Sequence, residues 1–195
     1  MSLRDSRALL ALGNPGRLQA LAETGLTAAA DATFDRFADM VCTALDVPVA
    51  LVSLIEPGRQ FFPGAVGLEQ PWADKRETPL SHSFCQQGVA SAESVIIIDA
   101  RDDPRVCDSP AIGDLGVIGY AGMPLLDADG NVLGSLCAID RRPRDWTVKE
   151  LKLLGDLAAA CSDSLQLRIA TRHAEAGRAS AQDLTRQLRD AYRSE

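Results

Sequence analysis

The strongest constraint on the fold is a pair of aliphatic segments separated by a tight turn. Residues 117–126 and 132–139 are rich in aliphatic side chains, and residues 127–131 between them are Asp-Ala-Asp-Gly-Asn. The Asp129-Gly130 pair supplies the positive φ that a tight reversal needs, so the pattern predicts a β-hairpin. A hairpin requires an antiparallel sheet, which excludes a purely helical bundle.

Further segments predict the rest of the sheet. Residues 47–55 (VPVALVSLI) are too short and too rich in valine for a favoured helix and predict a strand. Residues 59–62 predict a second strand, which we expect to end at Pro63 because proline disrupts a strand. Residues 67–79 show no periodicity and are expected to form a loop.

Helical patterns alternate with these strands. Apolar side chains recur at three- and four-residue intervals through residues 31–45, and residues 81–90 and 110–115 predict two shorter helices. Residues 95–98 predict a buried strand, and the polar residues 99–110 predict a long surface connection. The mixture predicts an α+β sheet protein, with short helical pieces at the start of the chain.

The chain from Trp146 onward follows one helical pattern of more than forty residues. Such a helix far exceeds the usual length of about 11–12 residues, and its apolar stripe must be covered. A second copy of the helix is the simplest cover, so we predict a homodimer through it; the alternative is a lone helix packed on its own domain. The stripe comprises Leu151, Leu154, Ala158, Cys161, Leu165 and Ile169, and continues more thinly with Ala176, Ala179, Leu184 and Leu188.

Charge and cysteine content limit the partners and the compartment. The chain has 27 acidic and 20 basic residues, and its net charge of −7 disfavours nucleic acid as a ligand. The basic residues 141–144 (RRPR) are expected to form a solvated turn. The five cysteines include no CxxC pair, and no segment is apolar enough for a membrane span, so we expect a cytoplasmic protein with reduced thiols and without metal.

Several motifs occur in a characteristic order along the chain. They are the helix at 31–45, the strand at 47–55, RQFF at 59–62, PLSHSFC at 79–85, DARDDPR at 99–105, YAGMPL at 120–125 and GSLCAID at 134–140. Together they resemble the bacterial GAF domains found upstream of histidine kinases, diguanylate cyclases and serine phosphatases. The resemblance implies a central antiparallel sheet of five or six strands with the terminal helices on one face. It also implies a ligand pocket under loops and short helices on the other face.

The resemblance also implies a division of the chain. Residues 1–17 would be an N-terminal helical extension, residues 18–165 the GAF domain, and residues 166–195 a signalling helix or coiled coil. Such a helix leads to an effector protein or a fused output domain. The implied pocket takes a small molecule that the sequence does not identify. Its candidate ligand-binding residues are Phe84, Cys85, Asp99, Arg101, Val106, Cys107, Ile112, Tyr120 and Met123.

Two groups of these residues have alternative interpretations. Arg101 is a candidate for binding an anion, but Asp99 and its charged neighbours can equally pair with one another in solvent. Cys85 is a candidate nucleophile if His82 contacts it, or a small hydrophobic residue if not. Cys107 is a candidate redox thiol or an exposed loop residue.

Enzymatic GAF domains offer the main functional alternative. Free methionine-R-sulfoxide reductases resemble this chain at Cys85 and Cys107, but Lys75 stands where their third cysteine is expected. The motifs of bilin attachment are not matched, and the cyclic-nucleotide signature fails because Val132 follows Asn131. We therefore expect a sensor without enzymatic activity that responds to a small molecule or a redox change. The alternatives are such a reductase and a ligand-free structural dimeriser.

Overall fold

The computed structural model describes residues 10–193 and shows an α+β fold on a six-stranded antiparallel sheet. The strands are β1 (Val49–Glu56), β2 (Arg59–Val66), β3 (Glu77–Pro79), β4 (Val95–Ile97), β5 (Gly119–Leu126) and β6 (Val132–Asp140), in the spatial order β3-β2-β1-β6-β5-β4. The helices are α1 (Pro15–Glu23), α2 (Ala32–Leu45), α3 (Trp72–Lys75), α4 (Cys85–Ser91), α5 (Ala111–Asp114) and α6 (Val148–Arg193), with a 3₁₀ turn at Leu80–His82. The predicted fold class is confirmed.

The predicted hairpin joins β5 to β6, and Asp127 organises its turn. The Asp127 carboxylate accepts hydrogen bonds from the backbone N–H groups of Asp129 and Asn131, at 2.9 and 2.7 Å. Gly130 has a φ of 82°, which only glycine adopts without strain. Local chemistry therefore sets this reversal, which is why the sequence predicts it well.

Two predictions for the segment after β1 are wrong. Pro63 does not end β2, because it lies where the pairing with β1 shifts register between Val52 and Leu54, and an interrupted ladder tolerates a missing N–H group. Residues 67–79 are not all loop but contain α3 and β3. The three residues of β3 are too few for an alternating pattern to be visible.

Each face of the sheet has its own core. On one face, α2 and α6 bury Phe34, Val41, Leu154 and Leu165 against the strands. On the other face, α4, α5 and the connection between β4 and β5 cover a second core that includes Tyr120. The terminal helices and the short helices thus lie on opposite sides, as expected.

The apolar stripe of α6 divides into two parts. Its first part packs on β5 and β6 and beside α2, where Leu154, Ala158, Cys161 and Leu165 are buried. The prediction that a second copy covers the stripe is therefore wrong for this part, because the domain's own sheet covers it. From Ala170 onward every side chain that the structure describes is exposed, and the Leu188 side chain lies outside that description.

The start of the chain contributes the predicted short helical pieces. Asn14 caps α1 by accepting a hydrogen bond from the Arg17 backbone N–H group. The buried Arg17 guanidinium donates to the carbonyl groups of Ile55 and Leu12, which ties α1 to the end of β1. Residues 1–9 of the predicted extension lie outside the described part. Across residues 10–193, no helix combines the length and the apolar character that a membrane crossing requires.

Candidate functional site

The sheet face opposite α2 and α6 brings five of the predicted site residues together. Phe84, Cys85, Val106 and Tyr120 are buried in one core, and Ile112 is half-buried against it. The rings of Phe84 and Tyr120 meet edge to face, with centroids 5.4 Å apart. Residues from α4, β5 and the connection between β4 and β5 thus converge beneath the short helices.

Met123 and Cys107 lie elsewhere. Met123 packs against the core that α2 and α6 cover, because successive residues of a strand alternate between faces and Met123 is three positions after Tyr120. The prediction that Met123 lines the pocket is wrong for this reason. Cys107 is exposed on the connection between β4 and β5, whereas Cys85 is buried.

The charged residues after β4 pair with one another. The Arg101 guanidinium and backbone N–H group donate to the Asp99 carboxylate, and these hydrogen bonds lower the pKa of Asp99. Arg105 forms the same arrangement with Asp103. Exposed pairs of this kind contribute little to stability, and they occupy the donors that an anion would need. The geometry therefore favours the interpretation in which these residues pair with one another, and it disfavours the interpretation in which they bind an anion.

A buried polar cluster lies at the centre of this face. We define it as Ser53, Cys85, Tyr120, Ser135 and Cys137, all of which are almost fully buried. The Tyr120 hydroxyl lies 3.1 Å from Cys85 Sγ and 3.4 Å from Ser135 Oγ. Sequence reasoning missed Ser53, Ser135 and Cys137, although a polar side chain inside an otherwise aliphatic strand is a detectable signal.

The two thiols of the buried polar cluster differ in acidity. Hydrogen bonds from Cys137, Ser135 and Tyr120 lower the pKa of Cys85 to about 6, although burial opposes this effect. The same interaction with Cys85, together with burial, raises the pKa of Cys137. Cys85 is therefore the first group of the cluster to ionise.

His82 does not belong to this cluster. Its ring nitrogens lie 3.0 Å from Ser81 Oγ and 2.9 Å from Asp114 Oδ2. Its ring also contacts Trp72, with centroids 5.6 Å apart. The hypothesis that His82 activates Cys85 therefore has no geometric support, and His82 instead links the 3₁₀ turn to α5.

Two clefts open near this link. The front cleft, of about 200 Å³, lies between α4 and the connection after β4 and is lined by residues that include Ser83, Phe84, Gln87, Arg105, Val106 and Ser109. The side cleft, of about 150 Å³, is lined by residues that include Leu68, Glu69, Trp72, Asp114, Leu115 and Arg141. Both are smaller than the usual sites of drug-sized ligands, so each suits only a small molecule. No metal-binding cluster of His, Cys, Asp or Glu occurs among residues 10–193.

The residues between β6 and α6 connect the site to the long helix. The Trp146 indole N–H donates to the Ile97 carbonyl at 3.1 Å, and the Arg144 backbone N–H donates to the Ile98 carbonyl at 3.0 Å. Ile97 ends β4, and Ile98 begins the connection that borders the front cleft. These two hydrogen bonds therefore join the end of β4 and the start of that connection to the residues just before α6.

The Arg144 side chain stabilises the segment between β6 and α6 through several polar contacts. Its guanidinium donates to the Leu45 and Asp46 carbonyl groups and pairs with the carboxylates of Asp140 and Glu150. It also lies over the Trp146 ring, 4.9 Å from the centroid. The expectation of a solvated turn at residues 141–144 is wrong for Arg144, since only the folded chain brings these partners together.

The first turn of α6 is closed by a capping box. Glu150 accepts a hydrogen bond from the Thr147 backbone N–H group at 2.7 Å, and the Glu150 N–H donates to Thr147 Oγ1 at 3.2 Å. The same Glu150 carboxylate pairs with Arg144. The start of α6 and the linker before it are therefore one hydrogen-bonded unit.

Comparison with known proteins identifies the family. The family model described as GAF domain matches residues 29–165. The cyclic di-GMP phosphodiesterase PA2567 of Pseudomonas aeruginosa is 38% identical over 116 residues, which cover 59% of this chain and 19% of that protein. This match thus spans about a fifth of the relative's length.

Solved structures show the same fold. The GAF domain of a Coxiella burnetii phosphoenolpyruvate-protein phosphotransferase has a TM-score of 0.59 at 18% identity, with 90% of this chain and 99% of that chain covered. The GAF domain of Thermosynechococcus elongatus PixJ, in its blue-light absorbing form, has a TM-score of 0.58 at 15% identity, with 85% and 96% covered. The family model covers more than half of the chain and the fold agrees with it, so the chain belongs to the GAF domain family.

Proposed function

We propose that this domain is a regulatory sensor that couples a small polar molecule, or a redox change, to the arrangement of α6. The observation that carries the proposal is the pair of hydrogen bonds from Trp146 and Arg144 to Ile97 and Ile98. They join the start of the connection whose residues 104–109 line the front cleft to the residues just before the helix. A ligand that prefers one arrangement of this connection by about 1–3 kcal/mol is sufficient to shift the helix.

The front cleft is the proposed ligand site. It adjoins α4 and the connection after β4, and its lining combines apolar Phe84 and Val106 with polar Ser83, Gln87 and Ser109. A few polar groups in an apolar lining are typical of small-molecule sites. We propose a receptor rather than an enzyme, because Cys85 lies among thiols and hydroxyl groups without a basic side chain.

We expect native mass spectrometry of freshly purified protein to show a retained small molecule. Gln87→Trp should reduce its occupancy severalfold by filling the front cleft, whereas Gln187→Trp, on the exposed part of α6, should not. Equal occupancy in both variants would place the ligand elsewhere. A native protein that retains nothing and shows no change in α6 when oxidised would contradict the proposal.

The output is proposed to be a dimer of α6 in which a second copy covers a stripe distinct from the buried one. Leu153, Ala160, Leu167, Ala174 and Ala181 are all exposed and recur at intervals of seven residues; we call them the outer stripe. A seven-residue apolar repeat supplies one of the two core positions in each heptad of a coiled coil. Ala174 and Ala181 lie on the part of α6 that no other described element covers.

Ala174→Glu is expected to weaken the dimer at least about tenfold, because it places like charges at the helix contact. Ala176→Glu adds the same charge to the same part of α6 on another face and should leave the dimer intact. Sedimentation equilibrium of the two variants measures the difference. If only Ala176→Glu dissociates the dimer, the stripe predicted from the sequence mediates pairing, and the outer stripe does not.

We further propose that the effector is an enzyme of cyclic di-GMP turnover, on the same or on a separate polypeptide. The support is the relative of Pseudomonas aeruginosa, which is a cyclic di-GMP phosphodiesterase. Since the match covers 19% of that protein, its activity is assigned to the effector and not to this domain.

A further inference from the structure

A third cleft has no role in the sensor described so far. It lies between the start of α1, the end of α4 and the turn between β5 and β6, and its volume is about 430 Å³; we call it the Arg17 groove. This volume falls within the range of about 300–1,000 Å³ that is usual for small-molecule sites, whereas the front and side clefts are smaller. The Arg17 groove can therefore hold a larger molecule than either of those clefts.

Arg17 brings a buried positive charge to the wall of this groove. Its side chain lines the groove, and the residue is only 3% exposed. The guanidinium has five N–H donors and donates to the carbonyl groups of Ile55 and Leu12. Among residues 10–193, Arg17 Nε is the only buried side-chain nitrogen or oxygen atom without a hydrogen-bond partner, and no carboxylate of these residues pairs with the guanidinium. The described chain thus buries a cation without an opposite charge.

Such an arrangement is costly for the protein alone. Removing a charge from water is unfavourable unless an opposite charge accompanies it, and two carbonyl groups supply only partial negative charge. Burial accordingly lowers the pKa of Arg17, because the charged form loses solvation without gaining a counter-charge. An anion bound in the groove would supply that counter-charge.

The buried acid of the adjoining turn does not neutralise Arg17. The Asp127 carboxylate accepts hydrogen bonds from the backbone N–H groups of Asp129 and Asn131 and from the Asn131 side chain. None of the described residues that line the groove is acidic, although the chain carries a net charge of −7. A negatively charged ligand therefore meets a positive wall without like charges along it.

The rest of the lining indicates the kind of anion. Asn14 and Arg17 belong to the cap and first turn of α1, where the helix dipole adds partial positive charge, and the Asn14 amide nitrogen remains a donor because its oxygen caps the helix. Most of the other lining side chains are apolar, namely Leu10, Ala11, Val89, Ala90, Ala92 and Val132. One cation in a largely aliphatic wall matches a ligand with one negative charge and an aliphatic part.

We propose that the Arg17 groove binds a small aliphatic carboxylate. The carboxylate lies against Arg17 and Asn14, where one negative charge balances one guanidinium. The aliphatic part packs on side chains such as Val89 and Val132 and removes apolar surface from water. This site is separate from the front cleft, and the proposal does not depend on the proposed function.

The test is an NMR titration of the full chain with octanoate, followed through the arginine Nε–H signals and the backbone N–H signals. The Arg17 Nε–H signal is assigned by its absence in Arg17→Lys. We expect saturable shifts of this signal and of the backbone signals of Ser91 and Val132. The neutral 1-octanol, which has the same chain length, and inorganic phosphate, which lacks the chain, should each bind at least about tenfold more weakly than octanoate.

A matched pair of variants locates the site without changing Arg17. Ser91→Trp should weaken octanoate binding severalfold by filling the groove, whereas Ser180→Trp, on the exposed part of α6, should not. Equal affinities for octanoate and 1-octanol would overturn the proposal, because the charge would then have no part in recognition. Phosphate binding as tight as octanoate binding, an Arg17 Nε–H signal that does not move at millimolar octanoate, or equal affinities in the two tryptophan variants would also overturn it.

Discussion

Replacing Gly134 by alanine is expected to unfold the domain under conditions in which the native chain is folded. A Cβ atom at Gly134 would overlap the Ser53 carbonyl oxygen and lie 2.8 Å from Leu54 Cα. These are backbone atoms of β1, which pairs with β6 in the middle of the sheet, so they have no room to move aside. We expect a loss of about 4 kcal/mol or more in the free energy of unfolding, measured by urea denaturation.

The matched control is Gly155→Ala in α6. No atom lies within 4 Å of a Cβ added there, and alanine favours a helix over glycine by up to about 1 kcal/mol. This variant should therefore be as stable as the native chain or more stable. Similar stabilities for the two variants would show that β1 and β6 do not approach as closely as the structure indicates.

Arg144→Ala is expected to disconnect the base of α6 from the rest of the domain. The variant leaves the carboxylates of Asp140 and Glu150 without their cation and the Leu45 carbonyl without its donor. Removing one partner of such a partly buried network costs about 2–3 kcal/mol. Hydrogen exchange in the first turns of α6 should accelerate, while exchange in the hairpin of β5 and β6 should change little. Arg142→Ala removes an exposed arginine two residues away and should change neither.

The dependence of stability on pH gives Arg144→Ala a second signature. Burial acts to raise the pKa of Glu150, but hydrogen bonds from Thr147 and Arg144 outweigh it and lower the pKa from 4.5 to about 2. The ionised carboxylate therefore stabilises the fold above about pH 4.5, and this contribution is lost as the pH falls toward 2. In the variant the pKa should rise toward 4.5, so the stability difference between the two proteins should narrow as the pH falls. A difference that stays constant from pH 7 to pH 2 would contradict the assigned pairing.

Elements with local causes were predictable from the sequence. The Asp127–Gly130 turn, the apolar periodicity of α2 and the unbroken helical pattern after Trp146 each depend on residues close together in the chain. Phe84, Cys85, Val106 and Tyr120 were placed near the site by resemblance to the GAF family, and the structure brings them together. For these elements, intrinsic backbone and side-chain preferences agree with the tertiary fold.

Features that depend on partners far apart in the chain were not predictable. Tyr120 lies between Cys85 and Ser135, and Cys137 joins the same core, only after β6 pairs with β5 and α4 lies over the sheet. Arg144 gains its role because α2 ends, and α6 begins, beside the turn that carries Arg144.

The sequence alone thus determined the antiparallel sheet, its main hairpin and the long terminal helix, because turns, caps and periodicity act over a few residues. The tertiary structure alone decided which face of that helix is covered, that Met123 lies away from the site, and that Cys85 contacts the Tyr120 hydroxyl in the core. The physical reason is that burial and pairing between distant residues are set by how the layers pack, and a one-dimensional pattern does not record which layers meet.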